Sequence, residues 1–230
     1  MTGGSVWAVV AAAGDGRRLG HERPKAFVKL GDRPLVAHAI ELLEAHPRVD
    51  RVVVVVPEGW EEPTALLADE LAAGKVVASI AGGPSRALSV AAGLVEVDAA
   101  ASTILVHDAA RPFASAELVD RVLDALDGAD GAVPGLPVSD TVKRVRDGAA
   151  VETLDRSELR AVQTPQAFRA EAVRRAYSGS RENVSVATDC AQLVEKAGGT
   201  VVVVEGAPAN VKITDAGDLE RAEALVQGRA

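Results

Sequence analysis

The stretch AAAGDGRRLGHERPK (11–25) sets three glycines, Gly14, Gly16 and Gly20, among four permanent cations, Arg17, Arg18, Arg23 and Lys25. Glycine lets backbone N–H groups approach an anion closely. Arginine adds a forked, permanently charged donor, and lysine adds a mobile point charge. A polyphosphate is the ligand that uses all three. The spacing matches neither familiar phosphate loop. The glycines run G-x-G-x-x-x-G where a dinucleotide fingerprint needs G-x-G-x-x-G, and His21 follows Gly20 where a Walker loop needs lysine. A tight glycine turn with solvated surface cations is the bland alternative. A second chemical feature is Asp108, which ends the apolar run STILVHD (102–108) and so puts a carboxylate at a strand end.

Those residues need a scaffold that brings them together, and the surrounding pattern describes one. VWAVVAA (6–12), RVVVVV (51–56), KVVASI (75–80) and STILVHD read as buried strands. Helical patterns occupy 34–46, 61–73, 84–97 and 114–126. This βαβα order predicts an α/β fold, a Rossmann-like, mostly parallel sheet flanked by helices. Such sheets bind ligands at the carboxyl ends of their strands, so the glycine loop and His107-Asp108 can share one crevice. Between about 138 and 160 the rhythm breaks into short β-like pieces around Gly148, which predicts a projecting β-hairpin arm. An arm with so few apolar residues needs something to pack on, and a second subunit is the simplest candidate. A helix near 188–197, a strand at 200–206 and a last helix from about Asp215 complete one expected domain, 1–230.

Composition narrows the partners. The chain has 230 residues, 48% hydrophobic and 25% charged, with a formal net charge of −8. Broad attraction to nucleic acid or to an anionic membrane is therefore not expected, and the positive charge of the loop is local. Residues 5–13 are too short to span a bilayer and lack the basic start of a signal peptide. A single cysteine, Cys190, excludes an internal disulfide and fits a reducing compartment, so a cytoplasmic location is expected. His21, His38 and His46 have no metal-ligand spacing with a cysteine partner.

Five segments go further in combination: AAAGDGRRLG with RPKAF (11–27), GGPSRALSV (82–90), VHDAARPF (106–113), SDTVKR with DR and TPQ (139–166), and TDCAQLVE with EGAPANVKIT (188–214). In this order they resemble the cytidylyltransferases that make 4-diphosphocytidyl-2-C-methyl-D-erythritol in the non-mevalonate isoprenoid route. The resemblance implies that the phosphate of 2-C-methyl-D-erythritol 4-phosphate attacks the α-phosphorus of CTP in line and that pyrophosphate leaves. It implies catalytic roles for Arg18, Lys25 and Lys212, the last approaching from the opposite end of the sheet. Ala13, Gly14, Gly16, Gly83, Ser89 and Asp108 are the expected CTP contacts. Asp108, Arg111, Thr141, Arg156, Thr164 and Thr188 are the expected acceptor contacts, with Arg156 supplied by the partner of a homodimer.

Asp108 is also the expected ligand of Mg²⁺, which needs one or two carboxylates beside phosphate oxygens. A turn or N-cap aspartate is the alternative there. The alternative for Lys212 is an ordinary edge lysine, and for Arg156 a hairpin salt bridge worth little. His107 is expected to be structural. The sequence departs from the family at Pro84 and at Cys190, where acidic residues are common, and Cys190 is expected to be a small packed residue. Rival readings are a ribitol-5-phosphate cytidylyltransferase, a sugar-1-phosphate nucleotidyltransferase, and a non-catalytic nucleotide-binding protein on the same fold.

Overall fold

The computed structural model describes residues 4–16 and 23–228. Its first half holds β1 (Val6–Ala11), a 3-10 turn (Lys25–Phe27), β2 (Lys29–Leu30), β3 (Arg33–Pro34), α1 (Leu35–Ala45), β4 (Arg51–Val56), α2 (Glu61–Glu70), β5 (Val76–Ala81), α3 (Arg86–Glu96), β6 (Thr103–Asp108) and α4 (Ala116–Asp124). The second half holds β7 (Gly131–Pro137), β8 (Lys143–Arg146), β9 (Ala149–Thr153), β10 (Arg160–Val162) and β11 (Gln166–Arg169). It closes with α5 (Ala170–Tyr177), α6 (Arg181–Ser185), α7 (Cys190–Lys196), β12 (Val201–Glu205) and α8 (Ala216–Gln227).

The main sheet runs β5-β4-β1-β6-β11-β7, and β7 also pairs with β10 and with β12. β1 pairs in parallel with both β4 and β6, and β12 pairs in parallel with β7. β10 and β11 are antiparallel to their neighbours, so the sheet is mixed but mostly parallel. Central strands are apolar on both faces because helices cover both. Val10, Val54 and Leu105 face α1, α2 and α4, whereas Val9, Val55 and Val106 face α3, α5 and α7. At Gly93 of α3 a Cβ would sit 2.6 Å from Val9 Cγ1, so glycine lets this helix lie close on β1. That contact aims the first turn of α3 at the carboxyl ends of the strands.

The expected arm is present as a separate two-stranded sheet, β8 with β9, and every residue of both strands is exposed. A third, smaller core joins Val28, Leu30 and Leu35 to Ile213 and to Leu219 and Ala222 of α8. It fastens the segment after the glycine loop to the segment that carries Lys212.

Candidate active site

β1 and β6 end in register at Ala11 and Asp108, so the glycine turn and Asp108 emerge side by side. A cavity of about 800 Å³ opens there. Ala13, Gly14, Gly16, Lys25, Gly83, Ser89, Asp108 and Lys212 all line it. Arg18 lies outside the described residues. Gly16 has φ +69°, and a Cβ there would stand 2.8 Å from the Lys25 backbone nitrogen. Glycine is thus required for the chain to turn back on Lys25. Among the described residues, a Cβ at Gly14 would meet no atom beyond its chain neighbours within 4 Å, and Gly14 lines the cavity.

The wall opposite is the start of α3. Ser85 caps the helix by accepting from the Leu88 N–H, which leaves the positive end of the helix dipole at the cavity. The preceding turn has no spare donors at residues 82–84. The Gly82 N–H goes to Val56 O at 2.7 Å, the Gly83 N–H goes to Ser89 Oγ at 3.1 Å, and Pro84 has none. Ser89 therefore holds the turn as well as lining the cavity. Pro84, the departure noted in the sequence, leaves this stretch of wall with acceptors in place of N–H donors.

A second recess of about 220 Å³ shares Arg86, Asp108 and Lys212 with the first and adds Arg111, Thr164 and Thr188. Asp108 sits between the two, 5% exposed, with Oδ1 2.8 Å from Arg86 Nε and Oδ2 2.7 Å from Lys212 Nζ. Burial alone would push its carboxyl up; the two cations overturn that and hold it well below the usual carboxylate range. Arg86 was not singled out from the sequence. It is the first residue after the N-cap of α3, within GGPSRALSV, and that N1 position was the available signal. On its far side it lies 3.8 Å from Cys190 Sγ, which is also 3.2 Å from the Tyr177 hydroxyl. Cys190 is fully buried among apolar residues, and burial pushes its thiol up, so it is a packed residue as expected.

Thr164 accepts from the Asp108 N–H at 3.0 Å and lies 3.1 Å from His107 Nδ1. The hydroxyl has a second lone pair as well as its proton, so the direction of its bond with Nδ1 follows the tautomer of His107. Burial lowers His107 to about 4, in keeping with a structural role. Thr141 and Arg156 line neither recess; Arg156 Nη1 donates to the Ser139 carbonyl at the base of the arm.

The expectation of Asp108 as a Mg²⁺ ligand does not fit this arrangement. Both carboxylate oxygens already face a cation, and an ion bound to either would lie close to two positive charges in a poorly solvated site. Among the described residues no group of three His, Cys, Asp or Glu side chains could hold a metal.

A mostly parallel α/β sheet with a glycine turn and converging cations at its strand ends defines a nucleotide-handling protein of the α/β class. The chain belongs to the 2-C-methyl-D-erythritol 4-phosphate cytidylyltransferase (IspD) family, whose profile matches residues 6–228. A Rhodococcus jostii protein of that name is 48% identical over 227 residues, covering 97% of this chain and 96% of that one. The crystal structure of the Anaerococcus prevotii 4-diphosphocytidyl-2C-methyl-D-erythritol synthase superposes with a TM-score of 0.84 at 28% identity, covering 98% and 99% of the two chains. The Thermus thermophilus 2-C-methyl-D-erythritol 4-phosphate cytidylyltransferase gives a TM-score of 0.77 at 36% identity, covering 97% and 99%. Among the described residues, no helix is long and apolar enough to cross a membrane.

Proposed function

We propose that this chain transfers the cytidylyl group of CTP to 2-C-methyl-D-erythritol 4-phosphate. An oxygen of the acceptor phosphate bonds to the α-phosphorus of CTP, the bond from that phosphorus to the bridging oxygen breaks, and pyrophosphate leaves with the electron pair. The observation that carries this reading is the position of Asp108, held by Arg86 and Lys212 where the larger and smaller recesses meet. The larger recess takes CTP, with the triphosphate against Gly14, Gly16, Lys25 and the start of α3. The smaller takes the acceptor, with Arg111, Thr164 and Thr188 around its phosphate and hydroxyls. A phosphate monoester is already an anion, so the reaction needs charge neutralisation and alignment more than a general base. Lys25 and Lys212 supply the neutralisation. Mg²⁺ enters on the phosphate oxygens of the nucleotide, as part of the substrate.

The turn at residues 82–84 favours cytosine, whose exocyclic amino group is a donor, over uracil, whose carbonyl needs one. The assay is pyrophosphate release with Mg²⁺ and CTP, run with methylerythritol 4-phosphate and with ribitol 5-phosphate. Release with the first acceptor alone is expected. Release with ribitol 5-phosphate alone moves the chain to the rival acceptor, and release with neither favours the non-catalytic reading.

Thr141 and Arg156 reach a site across a dimer in this reading. The exposed hairpin, with Val145 57% and Val151 51% accessible, supports a partner there. Lys25→Ala and Arg156→Ala chains, each impaired alone, are expected to regain activity when co-assembled, because one hybrid site is intact. A heterodimer with no recovery would place Arg156 outside the partner's site.

A further inference from the structure

Lys212 is carried by a segment with no ladder of its own: residues 206–215 have neither strand nor helix pairing. Its place is set by individual bonds, and they converge on Asn210. The Asn210 side chain, fully buried, donates from Nδ2 to Thr164 O at 2.8 Å. The Asn210 backbone carbonyl accepts from Arg111 Nη1 at 2.8 Å and from Gln163 Nε2 at 3.2 Å. Three residues on, the Ile213 N–H bonds to Ala110 O at 2.9 Å. The amide of Asn210 is also an expensive way to fill the space, because its Oδ1 is buried with no hydrogen-bond partner among the described residues. Packing alone favours an apolar residue at such a position. What the amide provides is a tie between the Lys212 segment and Thr164, whose hydroxyl in turn accepts from the Asp108 N–H.

We infer that Asn210 is the positioning residue for Lys212, tying its segment to Thr164 so that the lysine keeps one fixed spacing to Asp108 and the reacting phosphates. The inference rests on the cytidylyl-transfer reading above. Asn210 touches no substrate; it acts through Lys212. A misplacement of about 1 Å at a reacting centre costs up to about 10²-fold in rate, so loss of this one tie is expected to be felt in turnover.

The test is a cycle of Asn210→Ala, Lys212→Ala and the double variant, with Asn210→Ser alongside as a milder cut. Asn210→Ala is expected to lower kcat by about 10- to 100-fold while KM for CTP stays within about twofold. In the Lys212→Ala background the same change is expected to alter kcat by less than about twofold, because the residue it positions is gone. Asn210→Ser, with a shorter donor, is expected to fall between wild type and alanine, and it carries the cycle if Asn210→Ala does not fold. A folded Asn210 variant with wild-type kcat, or losses that multiply with Lys212→Ala, would overturn the inference. The two levels of failure are separable. Full activity of Lys212→Ala removes the site reading itself, whereas an impaired Lys212→Ala beside an unaffected Asn210→Ala removes the positioning role alone.

Discussion

Lys25→Ala and Lys212→Ala are each expected to lower kcat by about 10²- to 10³-fold, the usual cost of removing one preorganised donor from a developing charge. Both lysines line the one cavity, Lys25 following β1 and Lys212 following β12 in the chain. Each is anchored by buried neighbours. Ala26 and Phe27 are buried beside Lys25, and Phe27 packs on Trp60 with ring centroids 4.2 Å apart. Ile213, fully buried, anchors Lys212 in the third core. A fixed ammonium does not have to reorganise as charge moves toward the leaving pyrophosphate, so its loss falls on turnover more than on binding. Lys212→Ala carries a further penalty, because it removes one of the two cations that hold the Asp108 carboxylate. Steady-state pyrophosphate release at saturating CTP measures both. Wild-type kcat in either folded variant would take that lysine out of the catalytic set.

Legibility in the sequence followed the range of the interactions involved. The strands β1, β4, β5 and β6 are short apolar runs and the helices between them are periodic, so each was readable locally, and their order implied the parallel sheet. β10 and β11 were not readable. They are three and four residues long, and their pairing with β6 and β7 depends on contacts that leave no local pattern. The cavity residues that follow strand ends were legible because chain order alone places them at the crevice. Arg86 was not, since its partner Asp108 is 22 positions away and an arginine at the start of a helix reads as a surface residue. Nor could the sequence show that both Asp108 oxygens are already taken by cations. That contact set is what removes Asp108 as a metal ligand, although an aspartate at a strand end suggests one. Asn210 is not legible within EGAPANVKIT, because a side chain tied to a backbone carbonyl 46 positions away has no sequence signature.

Arg86→Met is expected to destabilise the fold by about 3 kcal/mol and to lower kcat/KM by about 10²-fold, because it strips a cation from a buried carboxylate that borders both recesses. Burial works against the charge on Arg86, but the Asp108 carboxylate beside it more than compensates, so the guanidinium stays protonated throughout the accessible range. In the wild type the Asp108 carboxyl is depressed in the folded state, so its contribution to stability is complete above the unfolded value of about 4 and is lost as pH falls through the folded value. Without Arg86 the folded value rises toward the unfolded one and that contribution shrinks. Wild type and variant should therefore differ most in urea melts at pH 7 and converge as pH drops below about 4, where Asp108 starts to protonate in the unfolded chain. Arg86→Lys separates charge from geometry. A single ammonium can still pair with Oδ1, but it lacks the fork that spans from Asp108 to the Cys190–Tyr177 pair. Most of the stability and little of the turnover should return. If Arg86→Lys instead recovers full turnover, the fork is irrelevant to the chemistry, and Arg86 serves Asp108 as a point charge alone.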